Sequence, residues 1–482
     1  MPLQSAQEPV DSPERVASIE VTDPADVRRV VGRVPALTAA EVTARYDAAE
    51  LGAVRWRATN PLQRAEIMAR AAADLRARSA EIAGDLVAEM GKTLAEATVE
   101  VTKAADFLDY YASWARQPYG ELIADGRPGT QTSVRREPLG VVTLVTPWND
   151  PLLTPARKLA PALIAGNAVV LKPASETPLV AYHLARSLET AGLPEGVLGV
   201  VTGRVREIEA ALLDDPRIAA VSFTGSTAIG RQLQHRLAGR NVRVQTEMGG
   251  KNATAVLADA DLAAAVSTIA AASFGQAGQR CTATSRVVVD WTVAEPLIAG
   301  LIEAAQQVTL GPGGAEGTTM GPVVSARHRS EVLEHIDRAR GEGAVVRVGG
   351  GAPDGEAFTH GCYVEPTVVT GVDARHSIWR DEVFGPVIAV RVVEGFDEAV
   401  DAVNDSVYGL AAAVFTTNLQ RAYEFADRVE VGQVSVNLPT SGWDVHMPFG
   451  GFGDSGSPFK EQGAEALRFY TKTKTVAVRY SL

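Results

Sequence analysis

Cys281 lies in the run Phe274-Gly-Gln-Ala-Gly-Gln-Arg-Cys281-Thr, with Arg280 beside it and glycines before it. The thiolate is the nucleophilic form of cysteine, and a nearby cation or helix N-terminus lowers the pKa that governs it. Here the glycines read as a loop entering a structured element and Arg280 as the cation; the bland alternative is a buried, inert thiol. Cys362, in Gly361-Cys-Tyr-Val, lacks such a setting and reads as structural. Glu247 opens Glu-Met-Gly-Gly-Lys251-Asn252, directly after the apolar run at 242–246. A carboxylate at a strand end, followed by two glycines, can reach into a cleft and act as a general base on water. Asn149, in Thr146-Pro-Trp-Asn-Asp-Pro151, lies just beyond another strand, where its side-chain amide can donate to a developing oxyanion.

Two further strand ends suit a nucleotide. Phe223-Thr-Gly-Ser-Thr-Ala-Ile-Gly230 follows a buried strand and opens a helix, whose free N–H groups and dipole fit a pyrophosphate. It is not GxGxxG, and no such fingerprint follows any candidate strand. Lys172, in Val170-Leu-Lys-Pro-Ala-Ser175, ends a strand at the carboxyl edge where doubly wound sheets bind ligands.

The elements that hold these residues can be read from periodicity. The first hundred residues read as helix: apolar positions recur at helical spacing over 62–75 and 82–90, and a third helix spans 94–114. That third helix carries Phe107, Tyr110, Tyr111 and Trp114, either as core or as the lining of a substrate tunnel. From Val141 onward, short apolar runs at 141–145, 168–171, 197–201 and 219–223 alternate with helical stretches at 152–164, 179–191 and 207–213. Strands buried on both faces and separated by helices mean a parallel, doubly wound sheet. A second α/β stretch covers about 247–436, with apolar runs at 285–289, 345–348, 387–393 and 431–436. The tail at 471–479 alternates apolar and polar residues, as a strand exposed on one side and available to another subunit would.

Composition bounds the function. The 482 residues predict two or three domains, and 46% apolar with 22% charged residues is ordinary globular usage. A formal charge of −12 speaks against a nucleic-acid binder, which must neutralise phosphates. Two cysteines exclude a disulfide framework and fit a reducing compartment. Residues 1–16 lack the basic and apolar regions of a signal peptide, and no apolar run reaches the ~18 residues of a membrane span. The expectation is a cytoplasmic protein with no membrane, nucleic-acid or metal partner.

Each chemical signal is weak singly, but their order is specific. Pro-Trp-Asn149, Leu-Lys172-Pro, Phe-Thr-Gly-Ser226, Glu247-x-Gly-Gly-Lys, Gly-Gln-x-Cys281, Glu382-x-Phe-Gly-Pro and Pro-Phe-Gly-Gly resemble the aldehyde dehydrogenase superfamily from about Pro35 to the C-terminus. The resemblance implies a fold of three parts. These are a Rossmann-like, doubly wound α/β cofactor domain (1–116 and 140–246), an α/β catalytic domain (247–467) and a small β oligomerisation unit (117–139 and 468–482). It implies Cys281 as nucleophile, Glu247 as base, Asn149 with the Cys281 backbone N–H as oxyanion hole, and Lys158 with Glu461 as a proton-moving pair. Thr146, Pro147, Trp148, Lys172, Ser175, Gly225 and Ser226 would line the NAD or NADP site, with Glu382 on the nicotinamide ribose and Phe384 against the nicotinamide. A homodimer or homotetramer is expected.

The implied reaction oxidises an aldehyde to a carboxylic acid through a thiohemiacetal and a thioester on Cys281. A CoA-acylating relative hands its thioester to a thiol and needs no water-activating carboxylate, so Glu247 favours hydrolysis. An inactive scaffold would have no reason to keep Cys281, Glu247 and Asn149 together. For the substrate, Gly278-Gln-Arg-Cys-Thr-Ala-Thr-Ser-Arg286 and Asn437-Leu-Pro-Thr-Ser-Gly442 resemble α-ketoglutaric semialdehyde dehydrogenases. Thr-Pro-Ala-Arg157-Lys158 is similar to succinate-semialdehyde dehydrogenases, and aromatic-aldehyde members also place an Arg there. The expected substrate is a small semialdehyde carrying a carboxylate, read by Arg157 and Arg280, with Phe107, Tyr110 and Trp443 around it; aromatic and amino aldehydes are the alternatives. Asp150 departs from the aromatic residue common after that Asn, and puts a negative charge beside the oxyanion site. Ser175 stands where the pattern Lys-x-x-Glu has a carboxylate, with Glu176 displaced by one, so NADP is expected to be accepted alongside NAD.

Overall fold

The computed structural model describes residues 17–117 and 120–480. The signal-peptide reading of 1–16 lies outside them. Five apolar strands form one all-parallel sheet in the spatial order Leu198–Val200, Ala168–Lys172, Val141–Val145, Ile218–Thr224 and Arg243–Glu247. Helices cover both faces, because both faces are apolar. Val142 and Leu144 join the core on one side, Val141 and Val170 the core on the other. This strand order reverses direction between Val141–Val145 and Ile218–Thr224, and a doubly wound sheet opens its ligand crevice at the carboxyl ends of such a pair. Trp148 and Asn149 follow the first of these strands, Gly225 and Ser226 the second.

A second sheet of seven strands runs Val345–Val348, Thr367–Thr370, Val387–Val393, Arg286–Asp290, Ala253–Val256, Ala411–Phe415 and Gln433–Val436. All neighbours are parallel except the first pair. It has its own core, centred on Val287, Val288, Ile388 and Trp379. The loop carrying Cys281 enters the central strand Arg286–Asp290, so the thiol is anchored to the most buried part of this sheet. A third sheet pairs Thr471–Arg479 with Thr130–Pro138, and that strand with Gly120–Ile123, all antiparallel. The tail strand thus pairs within its own chain on one edge. Helix Gly463–Phe469 returns to the first core, where Ala466, Leu467 and Phe469 are buried.

One early expectation is corrected. Residues 18–35 are not helical but form an antiparallel hairpin, Ser18–Asp23 with Asp26–Pro35. This ribbon is largely exposed, so few of its positions need to be apolar and its period-2 signal is faint. Helix Ala39–Ala58 follows the hairpin, and the next three helices are as the spacing predicts, at Pro61–Ala77, Ser79–Met90 and Leu94–Ser113. The last starts at a capping box, in which Thr93 Oγ1 accepts from Glu96 N–H and Glu96 Oε2 from Thr93 N–H. Among the described residues no helix is long and apolar enough to cross a membrane.

Candidate active site

Cys281 stands where two cavities meet. The first, about 320 Å³, is walled by Trp148, Asn149, Gly225, Ser226, Glu382 and Phe384; the second, about 210 Å³, by Phe107, Arg157, Arg280 and Trp443. Among the described residues, only Asp150, Arg157 and Cys281 line both. Burial pushes the Cys281 thiol up to about 12, and the cation that opposes this is Arg157. This corrects the expectation that Arg280 lowers the thiol pKa. The Arg280 side chain turns away, its Nε donating to Gln276 Oε1 at 2.6 Å. No helix begins at the nucleophile either: Gln276, Ala277 and Gly278 are all left-handed (φ +56°, +53° and +69°), and a turn follows.

Arg157 is placed by helix Leu153–Ile164, whose first N–H groups are met by a carboxylate. Leu152 and Leu153 N–H donate to Glu100 Oε1 at 2.8 and 3.0 Å, which satisfies orphan donors and complements the helix dipole. The Arg157 guanidinium lies 4.8 Å from the centre of the Phe449 ring and 5.8 Å from that of Phe107, with Nη1 3.8 Å from Glu461 Oε2. Lys158, next on the same helix, is buried, hydrogen-bonds Glu461 Oε1 and donates to Ser222 Oγ at 2.8 Å. Burial lowers its pKa, with Glu461 opposing.

Asn149 is buried, and its Nδ2 donates to the Gln279 carbonyl at 3.0 Å, tying the loop after the first sheet to the loop of the nucleophile. Glu247 ends strand Arg243–Glu247 but lines neither cavity. Its two carboxylate oxygens are buried without a hydrogen bond, close to Gly450, where a β-carbon would fall 2.5 Å from Oε1. Burial, reinforced by Glu461, raises its pKa well above 4.5 against the pull of Lys158 and Lys460.

Around the first cavity, Glu382 Oε1 accepts the Gly250 N–H at 2.8 Å, and burial brings the carboxyl up to about 7. Phe384 has φ +55° and packs edge-on to Trp148, with its carbonyl accepting from His328 Nε2 at 2.8 Å. Ser226 caps helix Thr227–Leu237 without a side-chain bond to it. Beyond lies an apolar slot of about 480 Å³ between Ile208, Leu212, Ile229 and Leu233, with Lys172 on its wall. Lys172 Nζ donates to the Pro173 carbonyl at 2.7 Å.

Three expected residues stand elsewhere. Thr146 is buried with Oγ1 unpartnered but lines neither cavity; Ser175 is half-buried and lines neither, nor the apolar slot. Tyr110 also lines neither cavity, and packs edge-on to Tyr111 and Trp114. Helical period alone would not show this, because residues three apart differ by only about 60° around the axis and share a face; it is the packing of Tyr110 against Tyr111 and Trp114 that keeps its ring off the cavity wall. What sequence reasoning missed is a buried charge cluster beside Asp150. Lys92 Nζ reaches Glu100, Asp150 Oδ1 at 3.2 Å and the Asn149 carbonyl at 2.9 Å. Nothing in the local sequence marks Lys92, since its partners lie on other elements. Burial pushes the Asp150 carboxyl up, but Lys92 and the Gln276 amide outweigh it and hold the group below its ordinary value.

With a thiol, an amide donor and a withdrawn carboxylate gathered at this junction, the comparisons are decisive. Residues 10–476 match the model of the aldehyde dehydrogenase family. The chain belongs to the aldehyde dehydrogenase family. It is 44% identical over 462 residues to an alpha-ketoglutarate semialdehyde dehydrogenase of Haloferax volcanii, covering 96% of this chain and 95% of that one. It is 36% identical to an alpha-ketoglutaric semialdehyde dehydrogenase of Bacillus subtilis, over 96% and 94% of the two chains. Betaine aldehyde dehydrogenase of Staphylococcus aureus, solved with NAD+, superposes with a TM-score of 0.93 at 31% identity, covering 96% of this chain and 92% of that one. This aldehyde dehydrogenase is therefore an NAD(P)-dependent oxidoreductase acting on aldehydes.

Proposed function

We propose that the enzyme oxidises a small semialdehyde bearing a carboxylate, of the α-ketoglutaric semialdehyde type, with Cys281, Glu247 and Asn149 in their expected roles. The observation that carries this reading is Arg157, which shares both cavity walls with Cys281 and lies between two aromatic rings in the second cavity. A planar guanidinium binds a carboxylate through two parallel hydrogen bonds. Arg280 on the same cavity adds a second cation, and the two named semialdehyde dehydrogenases fit the assignment. Asp150 does not defeat it, because its carboxylate is engaged by Lys92 and by the Gln276 amide.

The dinucleotide fits the residues present. The apolar slot suits a flat ring, the open N-terminus of Thr227–Leu237 suits the pyrophosphate, Glu382 can accept from ribose hydroxyls, and Phe384 with Trp148 offers an aromatic wall for the nicotinamide. When bound, the nicotinamide supplies the hydride acceptor. Cys281 adds as thiolate to the aldehyde carbon, and Arg157 stabilises the thiolate. Asn149 commits one amide proton to Gln279 and has the other for the oxyanion, a contact worth about 3 kcal/mol for one such donor. The thioester on Cys281 is then cleaved by water that Glu247 deprotonates, splitting one hard step into two easier ones. Lys158 and Glu461, hydrogen-bonded behind Glu247, take the proton onward.

We assign 1–116 with 140–246 to the cofactor domain, 247–467 to catalysis, and 117–139 with 468–482 to assembly of a homodimer or homotetramer, in a reducing cytoplasm. The exposed Leu122, Val478 and Tyr480 of the third sheet support the last assignment. Initial rates of nicotinamide reduction with ω-carboxylate, aromatic and amino aldehydes test the substrate. The expected result is a kcat/KM for the keto-acid semialdehyde at least tenfold above every other; a higher value for an aromatic or amino aldehyde refutes it.

A further inference from the structure

Arg280 is the residue before the nucleophile, yet its direction is set from the opposite wall of the active site. Its Nε donates to Gln276 Oε1 at 2.6 Å, while its two Nη atoms make no hydrogen bond among the described residues, Glu96 Oε1 standing 4.0 Å from Nη2. Gln276 is buried, and every polar group on it is used. Its Nε2 donates to Asp150 Oδ1 at 2.9 Å and to the Asn149 carbonyl at 2.6 Å, its backbone N–H donates to Glu96 Oε1 at 2.6 Å, and its carbonyl accepts from Gln279. Asp150 is in turn fixed by Lys92, a cation buried against Glu100. A continuous line of contacts therefore runs Lys92, Asp150, Gln276, Arg280. It crosses from the first sheet's loop to the second's.

The backbone marks the same place. Gln276 and Ala277 both adopt left-handed conformations that side-chain-bearing residues avoid, and such strain persists only where the surroundings over-determine it. Here the hydrogen bonds of Gln276 supply that hold. The polarity of the line is also forced. Asp150 and the Asn149 carbonyl have only acceptors and take the two Gln276 amide protons, so Gln276 Oε1 must face outward, and an outward acceptor is what a guanidinium Nε–H needs.

We propose that Gln276, oriented by Asp150, is a positioning residue that holds the Arg280 guanidinium, whose Nη groups make no hydrogen bond among the described residues, on the wall of the second cavity, and so sets selectivity for aldehydes with an anionic end. This rests on the carboxylate-semialdehyde reading above. It also reverses the sign expected of Asp150. As a bare charge Asp150 repels an anionic substrate and its removal would tighten binding; as the anchor of the line its removal weakens binding.

The test compares KM for a carboxylate semialdehyde with KM for an uncharged aldehyde of equal length, as a ratio, in Gln276→Leu, Asp150→Ala, Asp150→Asn and Arg280→Ala. The ratio is expected to rise at least tenfold in Gln276→Leu, Asp150→Ala and Arg280→Ala. In Asp150→Asn, whose side-chain oxygen still accepts from Gln276, it stays within threefold of the unaltered enzyme. A ratio that falls in Asp150→Ala overturns the proposal, as does a ratio unchanged in Gln276→Leu while kcat drops alike for both aldehydes. The latter would assign Gln276 to the Asn149 loop alone. If Arg280→Ala itself leaves the ratio unchanged, the reading of Arg280 as an anion contact fails; if it raises the ratio and the other two do not, only the positioning role fails. Gln276→Leu and Asp150→Ala are read independently, so loss of folding in one leaves the other to decide.

Discussion

Cys281 lines both cavities that meet at the active site, whereas the carboxylate of Glu247 lines neither. Glu247 stands withdrawn against Gly450, its pKa raised well above 4.5 by burial and its oxygens without a hydrogen-bond partner among the described residues. A group so placed cannot compete with the thiol for an incoming aldehyde. In the base role proposed for it, Glu247 has to move toward Cys281 to meet the water that ends the cycle, and a carboxyl with a raised pKa is the better acceptor of that water's proton.

The consequence is a separation of steps. Glu247→Gln is expected to reduce about one equivalent of nicotinamide per site in a fast burst and then to stall, with steady-state kcat down by roughly 10²–10⁴, the usual worth of a general base. Cys281→Ala gives no burst at all while still binding the dinucleotide. Stopped-flow absorbance of the reduced nicotinamide reads both. Unimpaired turnover in Glu247→Gln would remove it from the base role.

Much of this site was legible because chemistry at strand ends leaves short local signatures. Asn149, Lys172, Ser226 and Glu247 each follow or end an apolar run, and the runs at 141–145 and 471–479 coincide with strands Val141–Val145 and Thr471–Arg479. What stayed hidden depends on partners distant in sequence. Arg157, not the adjacent Arg280, faces the thiol, because direction in a left-handed loop cannot be inferred from adjacency. Lys92 gains meaning only when Asp150 and Glu100 surround it. The hairpin at 18–35 was hidden for the opposite reason: it is so exposed that its residues carry little pattern.

Glu382 gives a stability signature. Burial places its carboxyl at about 7 in the folded chain against 4.5 when unperturbed. A raised pKa means the protonated form favours the fold: the stabilisation is complete below about 4.5 and is lost as pH rises through 7. Glu382→Gln abolishes that titration and still offers Gly250 an acceptor. Its stability relative to the unaltered enzyme should improve from pH 5 to pH 8 by about 1–3 kcal/mol, the lower end reflecting a carboxyl that borders an open cavity. Thermal melting at both pH values, without nucleotide, measures it; a difference that does not change with pH would count against a buried, neutral Glu382.

Arg157 acts on two things at once, and the two separate experimentally. Its charge lowers the Cys281 pKa, so Arg157→Ala should slow alkylation of that thiol by iodoacetamide at pH 8 in the absence of substrate. Its fork is placed to bind a carboxylate, so the same variant should raise KM for a semialdehyde acid about ten- to a hundredfold more than for a neutral aldehyde, the worth of one charge-assisted contact of ~1.5–3 kcal/mol. Slower alkylation with equal KM changes would leave Arg157 as a partner of the thiolate only.

Cofactor choice turns on Ser175. In the Lys-x-x-Glu pattern a carboxylate at that position accepts from the adenosine ribose and repels a 2′-phosphate; here the position holds a neutral hydroxyl. The slot beside Lys172 is largely apolar, with Glu209, Gln232 and Arg236 also on its wall, so a like charge at its mouth would be only partly screened, and close like-charge pairs at such contacts cost several kcal/mol. Glu176, the residue that would substitute, is exposed, and its field reaches Lys172 as an attraction that opposes the effect of burial on the lysine. Lys172 is therefore balanced between Glu176 and any phosphate offered to it. Arg204 is exposed and 3.4 Å from Glu207, on the flank of the helix that borders the slot, within the same electrostatic reach. From this balance NADP is expected to be accepted together with NAD. Ser175→Glu should lower kcat/KM for NADP at least tenfold more than for NAD, because it restores the repulsion without touching the adenine slot. Glu176→Gln separates the two carboxylates: if Glu176 already plays the missing role, this change alone raises the NADP-to-NAD ratio several-fold, and if Ser175 governs the choice the ratio hardly moves. Equal losses for both dinucleotides in Ser175→Glu would mean that the loop is only a support for Lys172.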